Sequence, residues 1–232
     1  MHSIEENLRT IRERVSEAAR RAGRARDSVT LIAVSKKQPE EALRAAFAAG
    51  CGDFGENYAQ ELQHKAAALA GLDVRLHHIG QLQTNKVRAL VGKVALFHAV
   101  DREELLRELD KRARAAGVRA AVLLQVNVAR EAQKGGCPPE ELPKLVAIAH
   151  ACEGLEVRGL MTMPPPVDDP EEARPWFREL RRLQSALGDA RMCELSMGMS
   201  HDFEVAIEEG ATMVRIGQAI FGERPHGLHA MP

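Results

Sequence analysis

A closed barrel of eight parallel strands wrapped by helices, the (β/α)8 architecture of the TIM type with an extra N-terminal helix, is the α/β fold class this sequence predicts. Three observations predict it. An amphipathic helical run, a glycine and a short apolar run recur eight times, the glycines being Gly23, Gly50, Gly71, Gly92, Gly117, Gly154, Gly188 and Gly210. The rhythm is unbroken, as parallel strands joined by crossover helices require, and eight such units close a barrel. The 232 residues lie close to the roughly 250 that a complete barrel takes.

The elements follow in order. Ile4, Leu8, Ile11, Val15, Ala18 and Ala22 share one face at helical spacing, with Glu and Arg elsewhere, and form the helix ahead of the first strand. Each glycine closes a helix because the residue after the cap takes a left-handed conformation that costs Gly little. Strands are predicted over 29–35, 52–55, 75–79, 94–99, 120–128, 156–161, 194–197 and 213–216. Pro39 suits a helix first turn. Asp101 and Glu104 have capping-box spacing ahead of Leu105, Leu106 and Leu109. No linker or low-complexity tract interrupts residues 1–232, read as a single domain with a short loose tail over 223–232. An open doubly wound sheet is the alternative, weakened by the absence of G-x-G-x-x-G after the first strand.

Composition narrows the function. Aromatic residues are only 3% of the chain, so Val, Ile, Leu, Ala and Met fill the core. A net charge of −1 gives no electrostatic reason to expect a nucleic acid or an anionic membrane as partner. No apolar run approaches the roughly 18 residues of a membrane span. The charged N-terminus lacks the apolar stretch of a secretory signal. Cys51, Cys137, Cys152 and Cys193 are scattered, which fits reduced thiols in a cytoplasmic protein rather than a zinc cluster or disulfide framework.

In such a barrel the site lies at the C-terminal ends of the strands, where polar and small residues gather in this sequence. Strand one ends in Ser35-Lys36-Lys37 and strand two runs into Glu56-Asn57-Tyr58. Strand three ends in His77-His78-Ile79-Gly80-Gln81, and strand five carries Gln125 and Asn127. Strand seven leads into Ser196-Met197-Gly198-Met199-Ser200, and strand eight holds Arg215 before Gly217-Gln218. Arg215 stands inside an apolar strand, where an unpaired guanidinium costs several kcal/mol, so it needs either a barrel carboxylate or another acceptor. The loops after strands seven and eight are the usual phosphate seat of these barrels; Ser200 suits that seat, or a plain N-cap. Strand alternation sends Lys36 and Lys37 to opposite faces, and periodicity does not say which one enters the mouth. A lysine near an anion seat is a Schiff-base candidate once its proton is removed, and otherwise a snorkelling surface residue.

Taken together these segments resemble the pyridoxal phosphate homeostasis proteins, also called proline synthetase co-transcribed homologues. The resemblance runs through Ala33-Val34-Ser35-Lys36, Phe54-Gly55-Glu56-Asn57-Tyr58, Ile79-Gly80 with Leu82-Gln83-Thr84-Asn85-Lys86, Gln125-Val126-Asn127 and Gly159-Leu160-Met161. It is strongest at Leu195-Ser196-Met197-Gly198-Met199-Ser200, Met213-Val214-Arg215-Ile216-Gly217 and Ala219-Ile220-Phe221-Gly222. It implies an alanine-racemase-like N-terminal barrel that binds pyridoxal 5′-phosphate (PLP), with Lys36 carrying the cofactor as a Schiff base and Asn57 beside it. It also implies that Ser200 and the Gly217-Gln218 backbone hold the phosphate while Arg215 faces the pyridine nitrogen. A cation there keeps that nitrogen unprotonated and weakens the ring as an electron sink. Leu76, His78, Gln81 and Gln218 depart from residues the family often has, and Gln218 removes a hydroxyl contact to the phosphate. Lys134, in the loop 129–138, matches a family lysine and is read as a solvated loop charge, and His77-His78 as structural rather than metal-binding.

Three functions follow for comparison. The first is a cytoplasmic PLP-binding homeostasis protein that stores or delivers the cofactor to PLP-dependent apoenzymes and limits free aldehyde. It is expected to be monomeric and without robust turnover. The second is an amino-acid racemase or decarboxylase on the same barrel. Racemisation needs a second base opposite the lysine; the only tyrosine is Tyr58, and the chain ends about where the barrel closes. The third is a Schiff-base aldolase, which would be expected to carry its lysine on a later strand than the first.

Overall fold

The strands close in sequence order. In the computed structural model, which describes residues 3–131 and 133–222, the strands are β1 (Thr30–Val34), β2 (Asp53–Glu56), β3 (Arg75–His78), β4 (Leu96–Val100), β5 (Ala120–Gln125), β6 (Leu155–Met161), β7 (Glu194–Ser196) and β8 (Met213–Ile216). Each pairs in parallel with its sequence neighbours, and β1 pairs with β8 from Thr30 opposite Met213 to Ala33 opposite Ile216. That closure excludes the open-sheet alternative. The predicted tail over 223–232 lies outside the described residues.

The helices are α1 (Ile4–Arg21), α2 (Glu40–Ala48), α3 (Ala59–Ala68), α4 (Val87–Leu90), α5 (Glu103–Ala115), α6 (Leu142–His150), α7 (Arg174–Leu187), α8 (Phe203–Glu208) and α9 (Gln218–Phe221). The apolar stripe of α1 is buried at Leu8, Ile11, Val15 and Ala18. This helix seals the seam where the last unit meets the first, packing on α8, α9 and α2. Asn7 donates to the Ile220 carbonyl at 2.9 Å, and Arg24, just past the helix, donates to the Ala211 carbonyl at 2.7 Å. Ser3 and Glu6 form a reciprocal capping box at its start.

Strand alternation divides the core in two. Phe54, Phe97, Leu105, Phe177 and Phe203 lie in the outer core shared by strands and helices, whereas Ile32, Leu96, Ala99, Ala121, Leu123, Met161 and Met213 fill the barrel. Each fully buried Leu or Phe contributes roughly 1.5–3 kcal/mol, so the outer layer, holding most of the large side chains, carries most of the burial energy.

Three local expectations change. Gly154 does not close its helix, which ends at His150 with Ala151 as cap; it is glycine because a Cβ there would sit 2.9 Å from the Asp110 carbonyl oxygen and 2.9 Å from Arg114 Cγ. The Asp101–Glu104 capping box does not form: Arg102 occupies the cap position of α5 without a side-chain cap bond. Asp101 turns instead to the loop 129–138, accepting from Gly136 N at 3.1 Å. Pro39 sits at the N-cap of α2, one residue before its first turn.

Candidate functional site

Barrel order puts the predicted site residues on one side of the mouth. Ser200 follows β7, Gly217 and Gln218 follow β8, Lys36 follows β1 and Asn57 follows β2, and these four strands are consecutive neighbours. The loops also touch. Arg215 N donates to the Gly198 carbonyl at 3.0 Å, tying the Met197–Ser200 turn to β8. A Cβ on Gly217 would lie 3.1 Å from the Val34 carbonyl oxygen, which shows how closely the β8 exit approaches the strand that carries Lys36.

The two lysines separate for a reason other than strand alternation. β1 ends at Val34, and Lys36 and Lys37 form a turn closed by Gln38 N on the Ser35 carbonyl at 2.9 Å. Lys37 occupies the left-handed region at φ 61° and is exposed, whereas Lys36 is half-buried.

A buried ionic cluster behind that turn went unnoticed in the sequence. Lys65 Nζ, from α3, donates to the Ser35 carbonyl at 2.6 Å, to Glu56 Oε1 at 2.6 Å and to Glu61 Oε1 at 2.8 Å. Ser35 Oγ donates to Glu56 Oε1 at 2.5 Å, and Lys37 N donates to Glu61 Oε1 at 2.5 Å. Both sides of the Lys36 turn are therefore held from outside the barrel. Burial pushes the Glu56 carboxyl up to about 7 against the opposing pull of Lys65 and Ser35. The available signal was Glu61 and Lys65 at i, i+4 on one helix, a spacing that pairs them.

Arg215 is buried and points inward with the parity of Met213. Its Nη1 donates to Ser196 Oγ at 2.6 Å and its Nη2 to the Thr162 carbonyl at 2.9 Å. Of the two partners the sequence left open, the barrel carboxylate is not the one used: among the described residues its hydrogen bonds go to neutral oxygens. Burial lowers its pKa to about 10, with the Asp202 charge opposing. The two bonds use two of five guanidinium N–H groups.

Further polar residues line the interior. Asp53 takes both Arg75 Nε, at 2.7 Å, and Arg75 Nη2, at 2.5 Å, and accepts from His77 Nε2 at 2.9 Å. Burial alone would raise the Asp53 pKa, but the His77 and Arg75 hydrogen bonds hold it down at about 2. His77 Nδ1 lies 3.0 Å from His98 Nε2, and His98 Nδ1 lies 2.9 Å from Ser196 Oγ. His78 faces the other way, buried with its ring centroid 6.2 Å from that of Phe97, and desolvation lowers its pKa to about 4. Leu76 joins the outer core.

At the anion seat Ser200 is not the N-cap. That position belongs to Asp202, whose Oδ1 accepts from Met199 N at 2.6 Å, and Ser200 lies in the preceding turn, half-buried. Gly217 caps the four-residue helix α9 and Gln218 opens it, exposed; the first N–H groups of a helix have no partner within it.

Around the rim, half-buried Asn57 is wedged against Gly80, where a Cβ would sit 2.4 Å from the Asn57 carbonyl oxygen. Gln81 Nε2 donates to Gln125 Oε1 at 3.2 Å, and Gln125 Nε2 to the Gly135 carbonyl at 2.9 Å, which fastens the loop 129–138 over β3 and β5. Lys134 in that loop is not a solvated charge; it pairs with Glu131 at 2.7 Å. Tyr58 stands 55% exposed just after β2.

Comparison with known proteins agrees with this geometry. The model of the alanine racemase N-terminal domain matches residues 3–225. A pyridoxal phosphate homeostasis protein of Aquifex aeolicus is 46% identical over 224 residues, 95% of this chain and 98% of the relative. One from Pseudomonas aeruginosa is 44% identical over 230 residues, 99% of this chain and all of the relative. The structure of PipY from Synechococcus elongatus with PLP bound superposes with a TM-score of 0.81 at 35% identity, covering 95% of this chain and 100% of PipY.

Proposed function

We propose a function that proceeds from one premise: the chain belongs to the alanine racemase N-terminal domain family and, within it, to the pyridoxal phosphate homeostasis proteins. It is a single barrel domain that binds PLP and takes part in keeping the intracellular supply of that cofactor, storing and releasing it rather than turning over amino acids. Delivery to PLP-dependent apoenzymes from a cytoplasmic monomer completes the proposal.

One observation carries it: a buried guanidinium, hydrogen-bonded only to neutral oxygens among the described residues, on the strand beside the one that leads into the Lys36 turn. The donor set fits PLP. Arg215 has N–H groups left for a neutral ring nitrogen. Ser200 and the backbone of Gly217 and Gln218 offer donors for a phosphate at the ends of β7 and β8. Lys36 offers an amine in the turn that follows β1, and Asn57 offers an amide after the neighbouring β2. When bound, PLP supplies an aldehyde that takes up an amine covalently and a ring that withdraws electrons.

The chain's own residues favour holding over catalysis. Arg215, kept cationic and rigid, cannot accept a proton from the ring, so it opposes the protonated state that best stabilises a carbanion. The tyrosine that a two-base racemisation would need has its one counterpart in Tyr58, which is more than half exposed at the rim. Borohydride reduction followed by peptide mass spectrometry tests the proposal. The pyridoxyl mass is expected on Lys36 and absent in Lys36→Ala, with racemisation of free amino acids at background. A label on Lys37 or Lys65, or chiral turnover lost in Lys36→Ala, refutes it.

A further inference from the structure

The interior polar groups described above form one continuous chain from the strand starts to the mouth. Asp53 and Arg75 open β2 and β3, His77 and His98 follow on β3 and β4, and Ser196 ends β7 beside Arg215 on β8. Each link lies between 2.5 and 3.0 Å, and every member except Arg75 is buried. Nothing in the proposed binding of the cofactor uses Asp53, His77 or His98.

Counting protons gives the chain a direction. An ionised carboxylate only accepts, so Asp53 requires the proton of His77 on Nε2. With one proton on each ring, His77 Nδ1 accepts from His98 Nε2. His98 Nδ1 then accepts from the Ser196 hydroxyl, which leaves the Ser196 oxygen lone pairs to Arg215. Every hydrogen bond points toward Asp53, with the negative end at the strand starts and the positive end at the mouth. Reversing the links needs protons on both nitrogens of His77 and makes His98 the donor to Ser196. The Ser196 hydroxyl proton would then have no acceptor among the described residues, a cost that buried polar groups avoid.

We infer that Asp53, His77, His98 and Ser196 are positioning residues, a polarised hydrogen-bond relay that fixes the Arg215 guanidinium at the floor of the mouth. The relay lets an acidic group at the far end of the barrel govern the donor that meets a ligand's ring nitrogen. Burial, with the neighbouring His77, Arg215 and His78, lowers the His98 pKa well below the ordinary histidine value, as a neutral link requires. Hydrogen bonds within such a low-dielectric chain polarise one another. The relay itself stands on this chain's own side chains; only its last step, toward PLP, rests on the function proposed above.

Nitrogen-15 NMR of the purified full chain without PLP tests the relay directly. Both His77 and His98 are expected neutral with the proton on Nε2, and the Arg215 guanidinium protons are expected to exchange slowly. Ser196→Ala should speed that exchange and weaken PLP retention roughly tenfold, the loss of one charge-assisted hydrogen bond, with a shifted absorption band of the PLP-loaded protein. Ser196→Thr, which keeps the hydroxyl, should restore all three. A proton on His98 Nδ1, or wild-type exchange and spectrum in Ser196→Ala, overturns the relay. If PLP does not bind at all, the tautomers and exchange rates still decide the relay, so its failure is separable from that of the cofactor proposal.

Discussion

Replacing Lys65 by Met removes the cation at the centre of the cluster that clamps the Lys36 turn. The ammonium makes three hydrogen bonds, all of 2.8 Å or less, and both it and Glu56 are buried. Removing one member of a buried ion pair costs roughly 3–5 kcal/mol because the other charge is left uncompensated. Glu56 has an escape, which is to take a proton. In the native protein burial already holds its pKa at about 7, well above the ordinary carboxylate range. The folded state therefore holds the proton more tightly than the unfolded chain. That stability is fully present below the unfolded pKa and is lost as pH rises through the folded one, in total about 3 kcal/mol at about 1.4 kcal/mol per pKa unit. Without Lys65 the folded pKa rises further, so the penalty depends on pH. Urea unfolding of Lys65→Met should show a loss of about 2–3 kcal/mol at about pH 8, which is one pH unit above the native Glu56 pKa and therefore adds at most about 1.4 kcal/mol to the loss at acid pH. At about pH 5.5 it should fall to about 1–2 kcal/mol, the cost of the orphaned Ser35 carbonyl. Glu56→Gln combined with Lys65→Met should recover a large part of the alkaline loss. Equal losses at both pH values, or no recovery in the double variant, would show that Glu56 does not carry a charge whose burial Lys65 relieves.

Two glycines give further tests. Gly159→Ala places a Cβ 1.9 Å from the Glu194 carbonyl oxygen of the adjacent strand; backbone cannot yield as a side chain can, so thermal unfolding should reveal a loss of about 3 kcal/mol or a failure to fold. Gly80→Ala pushes on the Asn57 carbonyl. Equilibrium dialysis should show roughly tenfold weaker PLP retention, and because the contact is again with backbone, thermal unfolding should show a loss of about 1–3 kcal/mol.

The barrel was legible because it rests on local signals. A glycine follows most helices within two residues and an apolar run marks each strand, and the eight predicted strands all overlap the observed ones. Arg215 was legible as a problem, since a guanidinium amid Met213, Val214 and Ile216 demands an acceptor. Its solution was not legible, because Ser196 and Thr162 lie 19 and 53 residues away. Periodicity could not choose between Lys36 and Lys37 for a different reason: the strand has already ended at Val34, and both lysines lie in a turn in which Lys37 takes a left-handed φ of 61°. The Asp101–Glu104 spacing misled because Asp101 has a stronger use, the backbone of the 129–138 loop.

His98 shows the same division inside one strand. Simple alternation would send His98 and Ala99 to opposite faces, yet across the register shift between Phe97 and Val100 Ala99 joins the interior core while His98 of the same strand bonds to His77 and Ser196. By itself the sequence determined the number of units, their order and the faces they bury, since helix and strand periodicities are properties of neighbouring residues. Closure decided the rest. Asp53, His77, His98, Ser196 and Arg215 come from five strands and meet only in the lumen, and hydrogen bonds a few ångströms long depend on where the ring of strands brings distant residues.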